Sequence, residues 1–261
     1  MKKNLKKKIP LITIVTVCLN SQKNIQKCLK SVATQNYPKN KIEHIVIDGG
    51  STDKTIKILK KNSKNIKYWH SKKDKGLYDA MNIGISKARG DIIGILNSDD
   101  YFYQNSFKIV SKYFLNNEID FLFGSVIKDR IYHNFFPEKI YHKFNIYPSH
   151  SISFFIKRRA QNIIGKYDLR YKNCADRDFI FRVLRSDLKG TATKKKEILG
   201  KFSMFGQSSK LNFFEKIFEE IKIRINNRQN IIKILILYFL YSIYYFKNLI
   251  INKLKNKIKF V

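Results

Sequence analysis

The chain of 261 residues is poor in cysteine, in proline, in acidic side chains and in long apolar runs. Its three cysteines, Cys18, Cys28 and Cys174, lie far apart and form no metal-binding or redox spacing. That excludes a disulfide-stapled scaffold and fits small core residues in a reducing compartment. Only four prolines interrupt the chain, and there is no internal repeat. The longest uncharged apolar stretch, Ile234–Phe246, would span roughly 20 Å as a helix, whereas a bilayer core needs about 20 residues. The start, Met1 to Lys8, is basic but has no separate apolar segment, so no secretory leader is expected. Acids number 20 against 52 lysines and arginines, a formal charge of +32. Nucleic acid, an anionic membrane surface or a polyanionic substrate would each suit such a surface. Lysine far outnumbers arginine, however, and Ile and Asn are abundant, a usage that an AT-rich genome also produces.

An apolar content of 44% is enough for a core at this length. Leu11–Val17, Ile42–Ile47, Ile66–His70 and Asp91–Leu96 read as buried strands. Between them lie helical patterns. One has Ile25, Cys28, Leu29 and Val32 on its inner face, with Ser21 as its cap. A second runs to about Lys61, and a third over Leu77–Arg89. Alternation of strand and helix predicts a mostly parallel α/β sheet with right-handed crossovers, in which ligands sit beyond the carboxyl ends of the strands. Asn105–Leu115 and Cys174–Ser186 read as further helices, and Asp120–Tyr132 as antiparallel strands. Leu211–Arg228 is amphipathic, with Phe214, Ile217, Phe218, Ile221 and Ile225 on one face.

The basic arm 1–9 and the tail 211–261 flank a body of residues 10–210. In the tail, Tyr238, Tyr241, Tyr244 and Tyr245 fit an interfacial helix, and Lys253 to Lys259 would meet anionic headgroups. Packing on the body and a tilted span are the alternatives for Ile231–Ile251.

Three strand ends carry ligand-ready residues: Asn20, Asp48 and the pair Asp99-Asp100. The paired acids suit Mg²⁺ or Mn²⁺ held against a phosphate, or alternatively the cap of a helix. Asp48 opens Asp48-Gly-Gly-Ser-Thr-Asp53, where a carboxylate can accept from a nucleobase or a ribose hydroxyl, while Asp53 reads as a cap. The motif is not the GxGxxG dinucleotide fingerprint. In Asp74-Lys-Gly-Leu-Tyr-Asp79-Ala-Met-Asn82, Gly76 permits close backbone approach, Lys75 could meet a phosphate, and Asp79 and Asn82 share a helix face.

Together, Thr13-Ile-Val-Thr-Val-Cys-Leu-Asn20, Ile47-Asp-Gly-Gly-Ser-Thr-Asp53, Gly76-Leu-Tyr-Asp-Ala-Met-Asn82 and Asn97-Ser-Asp-Asp100 resemble the inverting glycosyltransferases of family 2, of the type that builds bacterial cell-surface polysaccharide such as lipopolysaccharide. The resemblance implies a GT-A fold over roughly residues 10–210, a UDP- or GDP-linked sugar donor, and a divalent metal. It implies a nucleotide-sugar site of Thr16, Asn20, Asp48, Asp79, Asn82 and Asp99, with Asp48 on the base. Asp99 and Asp100 take the Asp-x-Asp place beside ribose and metal, although Asn97 stands where that motif usually begins. In Cys174-Ala-Asp-Arg-Asp178, Asp176 matches the catalytic base, and Asp178 with Arg182 holds that helix. Asp178 is also a candidate for the acceptor side, as is His150 in Pro148-Ser-His-Ser151, where a structural histidine is the other reading. Phe202 to Ser208 resembles the loop that closes over donor phosphates.

The implied acceptor is a lipid-linked or cell-surface glycan, reached from the cytoplasmic face of the membrane. A nucleic-acid-binding protein is the rival reading from charge, but no binding motif supports it. A nucleotidyltransferase is the other, but it would carry a Gly-rich basic loop where Asn20-Ser-Gln-Lys-Asn24 stands.

Overall fold

The structure, a computed structural model, describes residues 8–133, 135, 150–203 and 213–258. Strand and helix alternate first, as expected: β1 (Ile12–Cys18), α1 (Ile25–Ala33), β2 (Ile42–Asp48), α2 (Thr55–Lys61), β3 (Tyr68–Ser71), α3 (Leu77–Lys87) and β4 (Ile92–Asn97). Then come β5 (Tyr101–Phe102), α4 (Ser106–Asn116), β6 (Phe121–Phe123), β7 (Ser125–Ile127), β8 (Ile131–Tyr132), β9 (Phe154–Lys157), α5 (Arg158–Ile164), α6 (Ala175–Arg185), β10 (Gly190–Ala192) and β11 (Ile198–Lys201). Two helices follow, α7 (Phe213–Asn226) and α8 (Ile231–Ile258).

The main sheet has the order β10-β6-β9-β4-β1-β2-β3. Every pairing in it is parallel except those of β9, which runs against β4 and β6. Parallel strands of this kind are buried on both faces, and β1, β2 and β4 are apolar almost throughout. Val15, Val17, Ile45, Ile47, Ile93 and Ile95 point to one face, against α3 and α6. Ile12, Ile14, Ile92 and Leu96 point to the other, against α1 and α4. The fold is the expected mixed, mostly parallel α/β sheet flanked by helices.

Four local expectations are revised. The expected strand pair in Asp120–Tyr132 divides at Gly124: β6 joins the main sheet, whereas β7 and β8 pair antiparallel in a second sheet of order β5-β11-β7-β8. Ser21 does not cap α1, whose N-cap is Asn24 without a side-chain bond; the Ser21 hydroxyl instead contacts Ser98 Oγ at 2.7 Å. Asp99-Asp100 does not cap a helix either, because the chain turns directly into β5. On α7, Phe214, Phe218 and Ile225 are exposed, while Glu220, Ile223 and Arg224 are buried. That helix docks through its polar side, so the apolar stripe faces outwards.

Packing of α3 onto β1 and β2 needs a residue without a side chain at Gly84. A Cβ there would stand 2.2 Å from Val15 Cγ1 and 3.3 Å from Ile47 Cγ1. Gly84→Val should therefore destabilise the fold by about 2–3 kcal/mol, read as a lower urea midpoint; an unchanged midpoint would show that α3 can move off the sheet freely.

Candidate active site at the carboxyl rim of the sheet

The carboxyl ends of β1, β2, β3 and β4 share one rim, because those strands are parallel and in register. Asn20 follows β1 with a left-handed backbone, φ 48°, which asparagine tolerates better than most residues. Its Oδ1 accepts from Thr52 N at 2.9 Å, and its own N–H donates to Ser51 Oγ at 2.7 Å. Ser21 N and Gln22 N donate to Thr55 Oγ1 and Asp53 Oδ2. These bonds bind the loop after β1 to the loop after β2. Asn20 and Asp53 are thus fasteners of the rim; the N-cap of α2 is Lys54 rather than the expected Asp53, whose Oδ1 accepts from Thr55 N at 2.9 Å just before the helix.

Asp48 is wholly buried. Its Oδ2 accepts from Gly50 N, Ser51 N and the Ser71 hydroxyl, and its Oδ1 from the Ser51 hydroxyl and the Cys18 thiol. Five donors fill its lone pairs, so the expectation that its carboxylate meets a nucleobase is revised: here it shapes the loop that forms the rim. Two further expectations are revised on the same ground. Thr16 lies in the core, its hydroxyl 2.9 Å from His44 Nε2, because its position on β1 faces α1 rather than the rim. Asn82 is buried and clamps Tyr167 through both backbone atoms, Nδ2 donating to Tyr167 O and Oδ1 accepting from Tyr167 N, each at 2.9 Å. Asp79 accepts from Lys75 N at 3.0 Å and so braces the start of α3. Gly76, with φ 115°, has open space where a Cβ would sit, so the glycine answers to the backbone angle and not to close approach.

The acidic pair sits at the end of β4. Asp100 is 2% exposed, and its Oδ1 accepts from Ser203 N at 2.9 Å. Its Oδ2 is buried without a hydrogen-bond partner, as is Asn97 Oδ1 beside it. Burial first, and the neighbouring charge of Asp99 second, hold the Asp100 carboxyl well above the usual carboxylate range. Burial also raises Asp99, which is less enclosed. Two buried, orphaned oxygens, one from Asp100 and one from the half-buried Asn97, form the hard donor set that suits Mg²⁺ or Mn²⁺. Among the described residues no cluster of three His, Cys, Asp or Glu side chains could hold a metal alone. A cation here would share its coordination with substrate oxygens, as Mg²⁺ commonly does.

His150 also stands at this corner. Because β9 is antiparallel, its start, rather than its end, reaches the rim. His150 Nδ1 lies 3.6 Å from Asp100 Oδ2, and the ring stacks on Phe202 with centroids 4.2 Å apart. Burial and the nearby Lys128 charge push its pKa down to about 4, so the ring is neutral near pH 7. The residue expected on the acceptor side thus stands against the acidic pair at the end of β4. Of the stretch Phe202 to Ser208, residues 204–208 lie outside the described residues.

On the other side of the sheet, Asp176 occupies the first turn of α6 and is half-buried. Its Oδ1 accepts from Tyr78 Oη and Arg177 N, both at 2.9 Å. Tyr78 belongs to the first turn of α3, directly after the rim of β3, so it fixes Asp176 toward the rim. Sequence patterning missed this tyrosine, although it lies inside the Gly76–Asn82 motif. Asp178 does not join the site: it is buried, its Oδ2 accepting from Arg182 Nε at 2.8 Å and its Oδ1 from Asn227 Nδ2 at 3.2 Å. It holds the helix, as Arg182 does.

Also absent from the sequence reading is the clamp that α7 places on α6. Glu219 accepts from Asn173 N and Nδ2, and Glu220 pairs with Arg177. Tyr238 on α8 donates to Glu220 at 3.2 Å and accepts from the buried Arg224. Two clefts, of about 490 and 530 Å³, open at the opposite end of β4 around Lys157 and Arg159 and include none of these groups.

Asp100 binds its proton more tightly in the folded chain than the ordinary carboxylate value of 3.8. The folded state therefore holds the extra proton, and this group's contribution to stability is lost as pH rises above that value. Asp100→Asn removes the buried charge and keeps an acceptor for Ser203 N. With a chelator present, its unfolding temperature should exceed that of the wild type at pH 7, with the two converging toward acid pH. Equal midpoints at pH 7 would sink this reading.

A family model, Glycosyl transferase family 2, matches residues 13–188. The PGL/p-HBAD biosynthesis glycosyltransferase of Mycobacterium bovis (strain BCG / Pasteur 1173P2) is 32% identical over 182 residues, 66% of this chain and 69% of that protein. An uncharacterized glycosyltransferase of Mycobacterium tuberculosis is 43% identical over 93 residues, 36% of this chain; the chain matches only 35% of that relative's length. Among solved structures, S. aureus TarS 1-349 in complex with UDP-GlcNAc superimposes with TM-score 0.66 at 17% identity, over 82% of this chain and 65% of that one. The mannosyltransferase PcManGT from Pyrobaculum calidifontis, in complex with GDP-Man and Mn²⁺, gives 0.66 at 14% identity, over 85% and 65%. At these identities the structural likeness speaks for the fold alone, and the sheet and its flanking helices are those of a GT-A transferase. With two thirds of its length matched by the family model, the chain belongs to glycosyl transferase family 2.

Proposed function

We propose that this chain is an inverting glycosyltransferase that moves a sugar from a nucleoside-diphosphate donor to a hydroxyl of a lipid-linked or cell-surface glycan. The observation that carries the reading is the state of Asp176. One carboxylate oxygen is fixed by Tyr78 Oη and Arg177 N, and the other takes no hydrogen bond from the described residues. A carboxylate with one oxygen anchored and one free is built to accept a proton from an incoming hydroxyl. The acceptor oxygen then attacks the anomeric carbon from the face opposite the diphosphate. The bond from that carbon to the diphosphate oxygen breaks, the nucleoside diphosphate leaves with the electron pair, and the configuration inverts.

Asp100, Asp99 and Asn97 would hold a divalent cation, which supplies positive charge to the departing diphosphate. Buried and unpartnered, the Asp100 and Asn97 oxygens are preorganised for such a charge and would need little rearrangement to meet it. Asp48, Asn20 and Ser51 hold the loops on which the nucleoside rests. That TarS is found in complex with UDP-GlcNAc and PcManGT with GDP-Man supports a nucleotide-sugar donor.

The tail supports a seat at a membrane surface. No helix among the described residues is long and apolar enough to cross a membrane. On α8, Ile234 and Tyr238 are buried, whereas Leu235, Ile236, Phe239, Leu240, Ile243 and Phe246 are exposed. An outward apolar face on a chain of formal charge +32 suits an anionic bilayer, with α8 in the interfacial plane on the cytoplasmic side. Body 10–210 would then carry the chemistry and tail 211–261 the attachment.

Asp176→Asn should lower sugar transfer by roughly 10²–10⁴-fold and leave donor binding intact; transfer at the wild-type rate would remove Asp176 as the base. For the tail, the double substitution Leu235→Asp and Phe239→Asp should reduce co-sedimentation with phosphatidylglycerol vesicles by about tenfold or more. Equal sedimentation of the two proteins would place the membrane contact elsewhere.

A further inference from the structure

We propose that His150 is a ligand of the divalent cation, its Nδ1 joining Asp100 Oδ2 and Asn97 Oδ1 in a mixed nitrogen and oxygen set. This deepens the donor-site reading above and rests on it. Three separate features converge on the assignment. The first is the gap between Nδ1 and Asp100 Oδ2. At 3.6 Å it is too long for a hydrogen bond, yet Oδ2 is buried without one, with the Asn97 side chain beside the carboxyl. Two ligands about 2.1 Å from one octahedral ion stand about 3 Å apart, so a slight closing of this gap would let one ion bridge them.

The second feature is how firmly the ring is held. His150 begins a short turn in which Ser153 N and the Ser153 hydroxyl both donate to His150 O, at 2.9 and 2.7 Å. The imidazole lies flat on Phe202, at 8° between planes. With its backbone held by that turn, its Nδ1 3.3 Å from Ser151 Oγ and its ring stacked on Phe202, the imidazole presents a constant edge to Asp100.

The third feature is the orientation of Asn97. Its Nδ2 donates to Ser151 Oγ at 3.3 Å, next to His150, and this leaves Oδ1 buried and unpaired. Asparagine brings one acceptor and no charge where an aspartate would bring an anion. An imidazole beside it adds a donor without adding charge, which keeps the corner occupied at a lower negative charge. Carboxylate and amide oxygens alone suit Mg²⁺, while an imidazole nitrogen favours a transition ion. The set should therefore prefer Mn²⁺ to Mg²⁺, with diphosphate oxygens completing the coordination.

The test uses the full chain with Mn²⁺, alone and with UDP or GDP. Pulsed electron paramagnetic resonance of the Mn²⁺-loaded protein should show imidazole ¹⁴N coupling, lost in His150→Gln. That variant should bind Mn²⁺ about tenfold or more weakly and lose its preference for Mn²⁺ over Mg²⁺, with an unchanged unfolding temperature. Mn²⁺ that binds without nitrogen coupling, and is lost in Asp100→Ala, would overturn the role of His150 while leaving the donor site in place. Failure of the wild-type chain to bind Mn²⁺ at all, with either nucleotide present, would overturn both readings.

Discussion

A carboxylate oxygen buried without a donor, Asp100 Oδ2, is the constraint around which the rim is arranged. Leaving such a group unpaired costs on the order of 1–3 kcal/mol, and more when it is charged. A fold tolerates that only where the rest of the structure over-determines the position. Here β4 lies between β1 and β9 in the middle of the sheet, and the backbone of Ser203 grips the other oxygen. The acid is held at a point where water is largely excluded, which is where fixed charges act most strongly on a developing charge. Stability given up at this corner is consistent with a site made ready for a cation and a diphosphate.

Around it, the polar residues of the rim divide into two kinds. Asp48, Asn20, Asp53, Ser51 and Ser71 have their hydrogen bonds satisfied within the protein and act as fasteners. Asp100, Asn97 and Asp176 keep oxygens without partners among the described residues and can act on a ligand. The same motif residues that look equivalent in sequence thus differ in whether their lone pairs are spent. The tail extends the pattern. Glu219 grips the turn before α6, and Glu220 pairs with Arg177 beside Asp176. A helix with an exposed apolar face is therefore connected by polar contacts to the element that carries Asp176.

How much of the site was legible depended on how local each signal is. The strand-ending pair Asp99-Asp100 and the helix-opening Asp176 could be read directly, because an apolar run that stops at an acid is a local pattern. Asp48 was found for the right place and the wrong task. Its position at the end of β2 is local, but its saturation by Cys18, Ser51 and Ser71 comes from three separate segments. Thr16 and Asn82 failed for a related reason: motif membership says nothing about which way a side chain points. The α7 face was misjudged because amphipathicity identifies an apolar stripe without saying whether it turns inwards.

The sequence by itself determined the parallel α/β core, the order of its first four strands, the strand ends that carry acids and membership of the family, since each follows from short-range periodicity and motif spacing. Only the tertiary structure decided what lies beside what. The antiparallel course of β9 brings His150 to Asp100, 50 residues earlier, and the Tyr78 hydroxyl reaches Asp176 across 98 positions. Those contacts depend on strand direction and helix packing, which no local pattern encodes. Burial, likewise a product of the whole fold, is what turns Asp99-Asp100 from two ordinary surface acids into a pair that holds its protons above the usual range.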